Sequence, residues 1–455
     1  MDIGSRRELF VDDALISRTT GNVRLVLHKP QRREVVMTLD KPWEGNVSSV
    51  GSVFRDGDMF RMYYRGWHAT KIGENPKTPP VVCCAVSKDG IHWERPVYNH
   101  IEFKGSKKNN IVLPFSLIMS VFKDTNPDCP PDELYKGVSY EKVGNDVRRI
   151  LKGFTSADGI HWKLVHNDSI ITKGVTRRAF DTCNVAFWDP NIGKYRAYIR
   201  DWHKEGNIRG IKTATSGDFR NWSVARWLKF DRPCAKEHLY TSAARVYARA
   251  PHIYIGFPTR YLPQRDSITE PLFMSSRDGV RFKLWNETVI RPGRNRDLWN
   301  NRGNYIWYSL IETKSDLPGN PPELSLYTGE GYYEGTSIDF RRYTYRPDGF
   351  VSLRADAKGG SMLTKPFTFK GDTLRLNVST SASGSVRVEM RDRANKPMKG
   401  FTRADCPEVY CDDIDRRVQW KGGSDLGRLA GKPVRMFITL KDADLYAFRF
   451  ADEKQ

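Results

Sequence analysis

The sequence predicts an all-β chain: a five-bladed β-propeller over residues 1–345, then a β-sandwich over 346–455. Three observations predict it. A turn motif recurs at near-constant spacing. Short alternating runs rich in aromatic and β-branched residues fill the intervals. No long stretch carries a 3.6-residue apolar stripe.

The motif is Ser-x-Asp-Gly-x-x-Trp. It reads SKDGIHW at 87–93, SADGIHW at 156–162 and SGDFRNW ending at Trp222, with SSRDGVRF ending at Phe282 and a weaker SIDFRRY ending at Tyr343. The closing aromatics are spaced by 69, 60, 60 and 61 residues. Asp and Gly suit a tight turn that needs local side-chain bonding or positive φ, and the aromatic pins the returning strand. Between copies, FRMYYRGW (60–67), YRAYIRDW (195–202) and HIYIGFPTRY (252–261) read as strands bounded by turn signals such as RDGD and DPNIG. Units of about 60 residues with about four short strands each describe propeller blades.

After residue 345 the repeat fades but alternation continues in LRLNVST, SVRVEMRD, RRVQW, VRMFITL and LYAFRF, the pattern of a separate sandwich. The opening ELFVDDALI (8–16) reads as a strand that either closes the ring or packs on the sandwich.

The 455 residues, 39% hydrophobic with 12% aromatic, fit two globular domains. No apolar run approaches a membrane span, and residues 1–20 lack the apolar core of a signal peptide. A periplasmic or secreted location is expected if such a peptide has been removed. The seven cysteines, at 83, 84, 129, 183, 234, 406 and 411, do not have zinc-site spacing, and Cys406 and Cys411 are near enough in sequence for a local bridge. No metal or cofactor is expected. The net charge of +20 favours an anionic partner. No helix-turn-helix, RNP or zinc-finger pattern is present, so an acidic or sulfated glycan is expected rather than nucleic acid.

A propeller converges the first strands of its blades on one mouth, so acids beside those strands are the catalytic candidates. Asp40 and Glu44 precede the first strand of blade one, Asp181 that of blade three, and Glu237 holds the matching place in blade four. One carboxylic acid that protonates the leaving oxygen, and a second carboxylate that attacks or activates water, make a glycosidase; a third acid tunes them. Arg65, Trp67 and His68 end a blade-one strand, and Arg200, Trp202 and His203 echo them in blade three. With Arg178, Asn184, Arg260 and Tyr261 they are the candidate substrate-binding groups: aromatic rings stack on sugars, and Arg forks hold carboxylate or sulfate.

Five blades with acids on blades one, three and four and a sandwich tail resemble the five-bladed propeller glycoside hydrolases, the invertase/fructanase and arabinanase/xylosidase groups. The resemblance implies Asp181 as transition-state stabiliser, Glu237 as general acid, and Glu44 or Asp40 as nucleophile or base, with Glu44 nearer the expected height. The sequence departs from those families: WEGN stands where Asn-Asp-Pro-Asn-Gly would, Asp181 lies in Phe-Asp-Thr rather than Arg-Asp-Pro, and His238 rather than Cys follows Glu237. The expectation is an exo-acting glycosidase on an acidic oligosaccharide. The rival readings are a non-catalytic glycan-binding propeller, a sialidase-like enzyme and a phosphorolytic one.

Overall fold

The computed structural model describes residues 1–69, 79–144, 146–203, 205, 207–232, 237–299, 303–307 and 309–453. The chain is all-β. Among the described residues the helical turns are three short 3-10 segments, Pro131–Glu133, Arg296–Leu298 and Gly427–Leu429. It divides into two compact units: Pro30–Tyr247 with Pro251–Thr344, and Met1–Lys29 with Ala248–Ala250 and Tyr345–Gln455. The first 29 residues therefore leave the unit to which the sequence assigned them.

The larger unit is a series of antiparallel sheets in chain order. The first holds Ser49–Asp56, Met59–Gly66, Val81–Ser87 and Ile111–Leu113; the second Met119–Lys123, Tyr135–Lys142, Arg149–Ser156 and Lys163–Leu164. The third holds Val185–Asp189, Lys194–Trp202, Arg209–Ser216 and Arg226–Trp227. The fourth holds Ala244–Tyr247, Ala250–Gly256, Met274–Ser276 and Arg281–Leu284, with Lys229–Phe230 added in parallel. The fifth joins Gly303–Ile306, Ile311–Thr313, Glu323–Glu330 and Asp339–Tyr345 to Gln31–Thr38. Thus residues 31–38, not ELFVDDALI, complete the last sheet. Glu8–Leu9 of that opening segment instead pairs with Phe448 and Ala447 in the other unit.

First strands of the first four sheets neighbour one another in order, and Glu323–Glu330 of the fifth returns to Ser49–Asp56 of the first. The approach is close. A Cβ on Gly51 would lie 1.9 Å from the Met119 carbonyl oxygen of the next sheet, so that position accepts no side chain.

Two recurring devices join sheet to sheet. The first is the repeated turn. Ser87, Ser156, Ser216 and Ser276 each end a third strand. The hydroxyls of Ser87, Ser156 and Ser276 accept the N–H of Gly90, Gly159 and Gly279 at 2.8, 2.9 and 3.0 Å. The turn aspartates 89, 158, 218 and 278 each accept two backbone N–H groups on one oxygen. Burial works against their charge, but these bonds win and hold all four below the usual carboxylate range, Asp218 at about 2. A tyrosine of the neighbouring sheet then donates to the turn carbonyl: Tyr63 to Gly159 at 3.0 Å, Tyr198 to Gly279 at 2.8 Å, and Tyr327 of the fifth sheet to Gly90 of the first. In the third copy Phe219 takes the glycine place at φ 64° and packs its ring on Tyr195 and Phe122. The weak fifth copy is no turn; its Asp339–Tyr345 is a strand paired with Gln31–Thr38.

The second device escaped the sequence reading. Asp56 and Asp189 end the first strands of their sheets, and Asp124 directly follows that of the second. Each accepts the hydroxyl of a tyrosine in the next sheet, Tyr135 at 2.7 Å, Tyr195 at 2.6 Å and Tyr254 at 2.6 Å. Each also pairs with a cation of its own sheet, Arg61, Lys136 and Arg196 respectively, at 2.6–2.7 Å.

The smaller unit holds an eight-stranded sheet and a two-stranded parallel one, Asp2–Gly4 with Thr368–Phe369. Segments expected as separate strands run as two long ones, Thr373–Asp392 and Val434–Ala451, paired along their length with a register break between Thr380 and Ser385. Leu374, Leu376 and Val378 from one half and Val386, Val388 and Met390 from the other share a single core, so the sheet folds over on itself. Cys406 and Cys411 are free thiols, and Cys234 lies outside the described residues.

Gly159→Ala tests the first device. The new Cβ would lie 2.4 Å from the Tyr63 hydroxyl at φ +79°, whereas Gly57, at φ +63°, has open space. Urea unfolding is expected to show a loss of about 2–3 kcal/mol for Gly159→Ala and about 1 kcal/mol for Gly57→Ala. Equal losses would show that the neighbouring tyrosine does not constrain the turn.

Candidate functional site

The five sheets described above, with the segments leading into them, contribute to one cavity of about 650 Å³. Ser48, Ser49, Arg65 and Trp67 come from the first. Tyr140, Glu141, Lys142 and Arg149 come from the second, Asp181 and Thr182 from the approach to the third, Tyr240 from the approach to the fourth, and Tyr305, Trp307, Tyr332 and Tyr333 from the fifth. Its wall is aromatic and cationic, with two carboxylates, Asp181 and Glu141.

Asp181 is presented by a strained turn. Phe180, buried, sits at φ 73°, a conformation that costs a bulky residue about 1–3 kcal/mol. The Phe180 N–H donates to the Arg200 carbonyl at 2.9 Å, and the Thr182 N–H donates back to the Phe180 carbonyl at 2.6 Å. Asn184 clamps the turn: its amide donates to the carbonyls of Phe180 (2.7 Å) and Thr182 (2.9 Å), and its oxygen accepts the Arg200 N–H at 3.1 Å. The same Arg200 brings its guanidinium, wholly buried, within 2.9 Å of Asp181 Oδ2, and Arg149 approaches that oxygen at 3.3 Å. The Arg200 contact is one of charge rather than an aligned hydrogen bond. Its guanidinium lies over the Tyr240 ring at 4.8 Å. Burial, and then the charge of Asp181, push the Tyr140 hydroxyl well above its ordinary range. Tyr140 is therefore a neutral donor or acceptor on the cavity wall at any ordinary pH.

Elsewhere on the wall Arg65 is buried. Its Nε and Nη2 donate to the Val47 carbonyl at 3.0 and 2.6 Å, and Nη2 reaches the Tyr332 hydroxyl at 3.1 Å. It also lies 4.9 Å over Trp67. Tyr305 and Trp307 stack at 5.6 Å, and Tyr333 packs edge-on to Tyr332 at 4.6 Å. These contacts restrain the rings.

Of the expected acids, Asp181 alone lines this cavity. Glu44 is locked into a buried network. It accepts from the Tyr64 hydroxyl (2.6 Å), Arg95 Nε (2.8 Å) and Nη2 (3.0 Å), and the Lys41 N–H (3.1 Å), and its side chain is wholly buried. Asn110, held by the Trp43 indole, completes the lock through the same Tyr64 hydroxyl. PWEG is thus a packing signature. Asp40 is exposed and paired with Lys41, which lowers its pKa. Glu237 lies 3.2 Å from Arg232 and 3.8 Å from Arg260, and it lines a different cleft, of about 460 Å³, with Arg209 and Trp227.

Of the expected binding residues, Arg65 and Trp67 line the cavity; Asn184 and Arg200 stand behind Asp181. His68 packs against Gly45. Trp202 is sandwiched between Arg178 (3.7 Å) and Arg209 (4.1 Å), and His203 stacks on Trp227 at 3.7 Å. Arg260 pairs with Glu270, and the Tyr261 hydroxyl bonds Ser267 at 3.0 Å. Arg209 donates to His238 Nδ1 at 3.0 Å, and burial followed by the charges of Arg209 and Arg200 lowers the His238 pKa. The RGWH and RDWH echoes therefore serve different ends: one faces the cavity, the other builds a stack of cations and rings beside it. Missed were the aromatic residues Tyr240, Tyr305, Trp307, Tyr332 and Tyr333, and the run of Tyr140, Glu141 and Lys142 with Arg149. The signal for the run was present, since YEK ends the second strand of its sheet as RGW does in the first.

No family model and no curated protein matches the chain. Among solved structures it is similar to a glycoside hydrolase (14% identity, TM-score 0.48, covering 69% of this chain and 92% of that one). It is also similar to an endo-arabinase from Bacteroides thetaiotaomicron (13%, 0.44, 70% and 99%) and to a β-1,2-mannobiose phosphorylase from Listeria innocua (13%, 0.45, 70% and 97%). At such distance no residue role carries across.

Glu44→Gln is expected to lower stability by about 2–3 kcal/mol in chemical denaturation, because Arg95 loses its buried partner. Ligand binding in the cavity should be unchanged. A stable variant with impaired binding would return Glu44 to the site.

Proposed function

We propose that the chain is a five-bladed propeller enzyme with a sandwich-like C-terminal unit, and that it cleaves a glycosidic bond in an acidic oligosaccharide, acting from one end. The observation that carries this reading is Asp181, a carboxylate on a strained and clamped turn, directed into an aromatic cavity between Arg149 and Arg200. Strain maintained at a buried turn that presents one charged group is characteristic of a functional position. The cavity volume of about 650 Å³ lies within the roughly 300–1,000 Å³ of small-molecule sites, enough for the terminal sugars of a chain. Tyrosine and tryptophan faces suit sugar rings, and Arg65, Lys142 and Arg149 outnumber Asp181 and Glu141 on the wall, which favours a substrate with a negative group.

In this reading Asp181 is the ionised carboxylate that attacks the anomeric carbon or activates water against it. Glu141, the other carboxylate of the wall and 57% exposed, is the candidate proton donor to the leaving oxygen. Asp181 and Glu141 thus take the roles first assigned to Glu44 and Glu237, and no third carboxylate lines the cavity among the described residues. For that reason a glycan-binding protein without catalysis is the second reading.

Asp181→Asn separates the two. Neutral, uronate and sulfated oligosaccharides are incubated with both proteins, with and without inorganic phosphate, and products and binding are measured. The enzyme reading expects turnover by the native protein, a drop on the order of 10³-fold in the variant, and binding retained within a few-fold. Binding without turnover in the native protein contradicts it and supports the second reading. Turnover that requires phosphate makes the enzyme a phosphorylase.

A further inference from the structure

We propose that Phe115 is a stacking platform for an outer sugar ring at the mouth of the cavity, a binding position beyond the one Asp181 serves. The inference rests on the glycan reading above and extends it outward.

Phe115 lies in the link between Ile111–Leu113 of the first sheet and Met119–Lys123 of the second. Three properties coincide there. It is 75% exposed, the highest value among the exposed large apolar side chains of the described residues. Its backbone sits at φ 52°, a left-handed conformation in which a phenylalanine is an outlier and a glycine is at ease. It also lines the cavity beside Leu117, Glu141, Lys142 and Arg149.

Internal packing does not account for the ring. It makes no ring–ring contact among the described residues, and it is not among the side chains packed on the core, whereas Leu117 two residues on is. The backbone next to it is nonetheless fixed: Ser116 is buried with its hydroxyl donating to Ser139 at 2.8 Å, and Ile118 is buried. A strained backbone thus holds an apolar ring out in solvent, on a wall that also carries the charged Glu141, Lys142 and Arg149. The chemistry that matches such a wall is a sugar ring. Its C–H face covers the phenyl ring, and its hydroxyls reach Glu141 and Lys142. A wholly apolar partner would desolvate those two charges without offering either a hydrogen bond.

The test compares the native protein with Phe115→Gly, a change that relieves the backbone and removes the ring. Uronate, sulfated and neutral oligosaccharides of two to six units are titrated calorimetrically, and thermal melting and oligomeric state are recorded. The proposal expects binding of the longer saccharides to weaken on the order of tenfold, that of disaccharides to change by less than about twofold, and an unchanged or raised melting temperature. Equal binding at every length overturns the proposal and leaves the glycan reading standing. Equal loss at every length places Phe115 in the inner site and overturns it as an outer position. A lowered melting temperature makes the ring a packing element, and a native dimer that the variant disperses makes it a self-association contact; either result overturns it. Failure of the native protein to bind any of these saccharides overturns the glycan reading itself.

Discussion

A carboxylate at the end of one sheet's first strand holds the tyrosine hydroxyl of the next sheet, and a cation of its own sheet neutralises it. Asp56, Asp124 and Asp189 repeat this arrangement, at hydroxyl distances of 2.6–2.7 Å. Side-chain hydrogen bonds to a charged acceptor in a buried setting are strong and directional, and they fail together when one partner is lost. Apolar packing between sheets would tolerate sliding and rotation. These staples do not, because each fixes one point on each of two sheets. The turn glycines add a second set of fixed points further along, from Tyr63, Tyr198 and Tyr327.

The cavity depends on that registration. Its wall draws on strand ends of the first, second and fifth sheets and on the segments leading into the third and fourth, so a displacement of one sheet by a single residue would move Arg65 or Tyr140 away from Asp181. Asp181 itself is not on a strand. The Phe180–Thr182 turn presents it, and Asn184 and the Arg200 backbone bind that turn to the neighbouring strand. Arg200 contributes twice, with its main chain holding the turn and its side chain the charge. Rigidity at this carboxylate comes from the sheet behind it, which is why a strained conformation persists there.

Much of the architecture was legible in the sequence, because the turn motif is a local device whose spacing reports the repeat directly. The four-stranded sheets follow from it, and so does Asp181, which precedes a strand at the repeat position. Other features were not legible, for identifiable reasons. Glu44 and Glu237 occupy matching places along the chain, but an acid's use depends on what faces it. Arg95, 51 residues away, closes over Glu44, and Arg232 and Arg260 turn Glu237 toward another cleft. The staples join residues 65–79 positions apart and have no local signature. The fold-over of the long strands near Asp442, at φ 42°, left no mark beyond polar residues that read as turns. The role of residues 31–38 in the fifth sheet is a matter of long-range pairing, which alternation alone does not specify.

The central claim is that the cavity around Asp181 holds a sugar. A crystal structure of the Asp181→Asn protein soaked with an oligosaccharide it binds in solution tests this most directly. Electron density is expected for a sugar ring near Tyr240 and Trp67, with its anomeric carbon facing residue 181. Density only in the Glu237 cleft or on the smaller unit, with the cavity holding solvent alone, would contradict it.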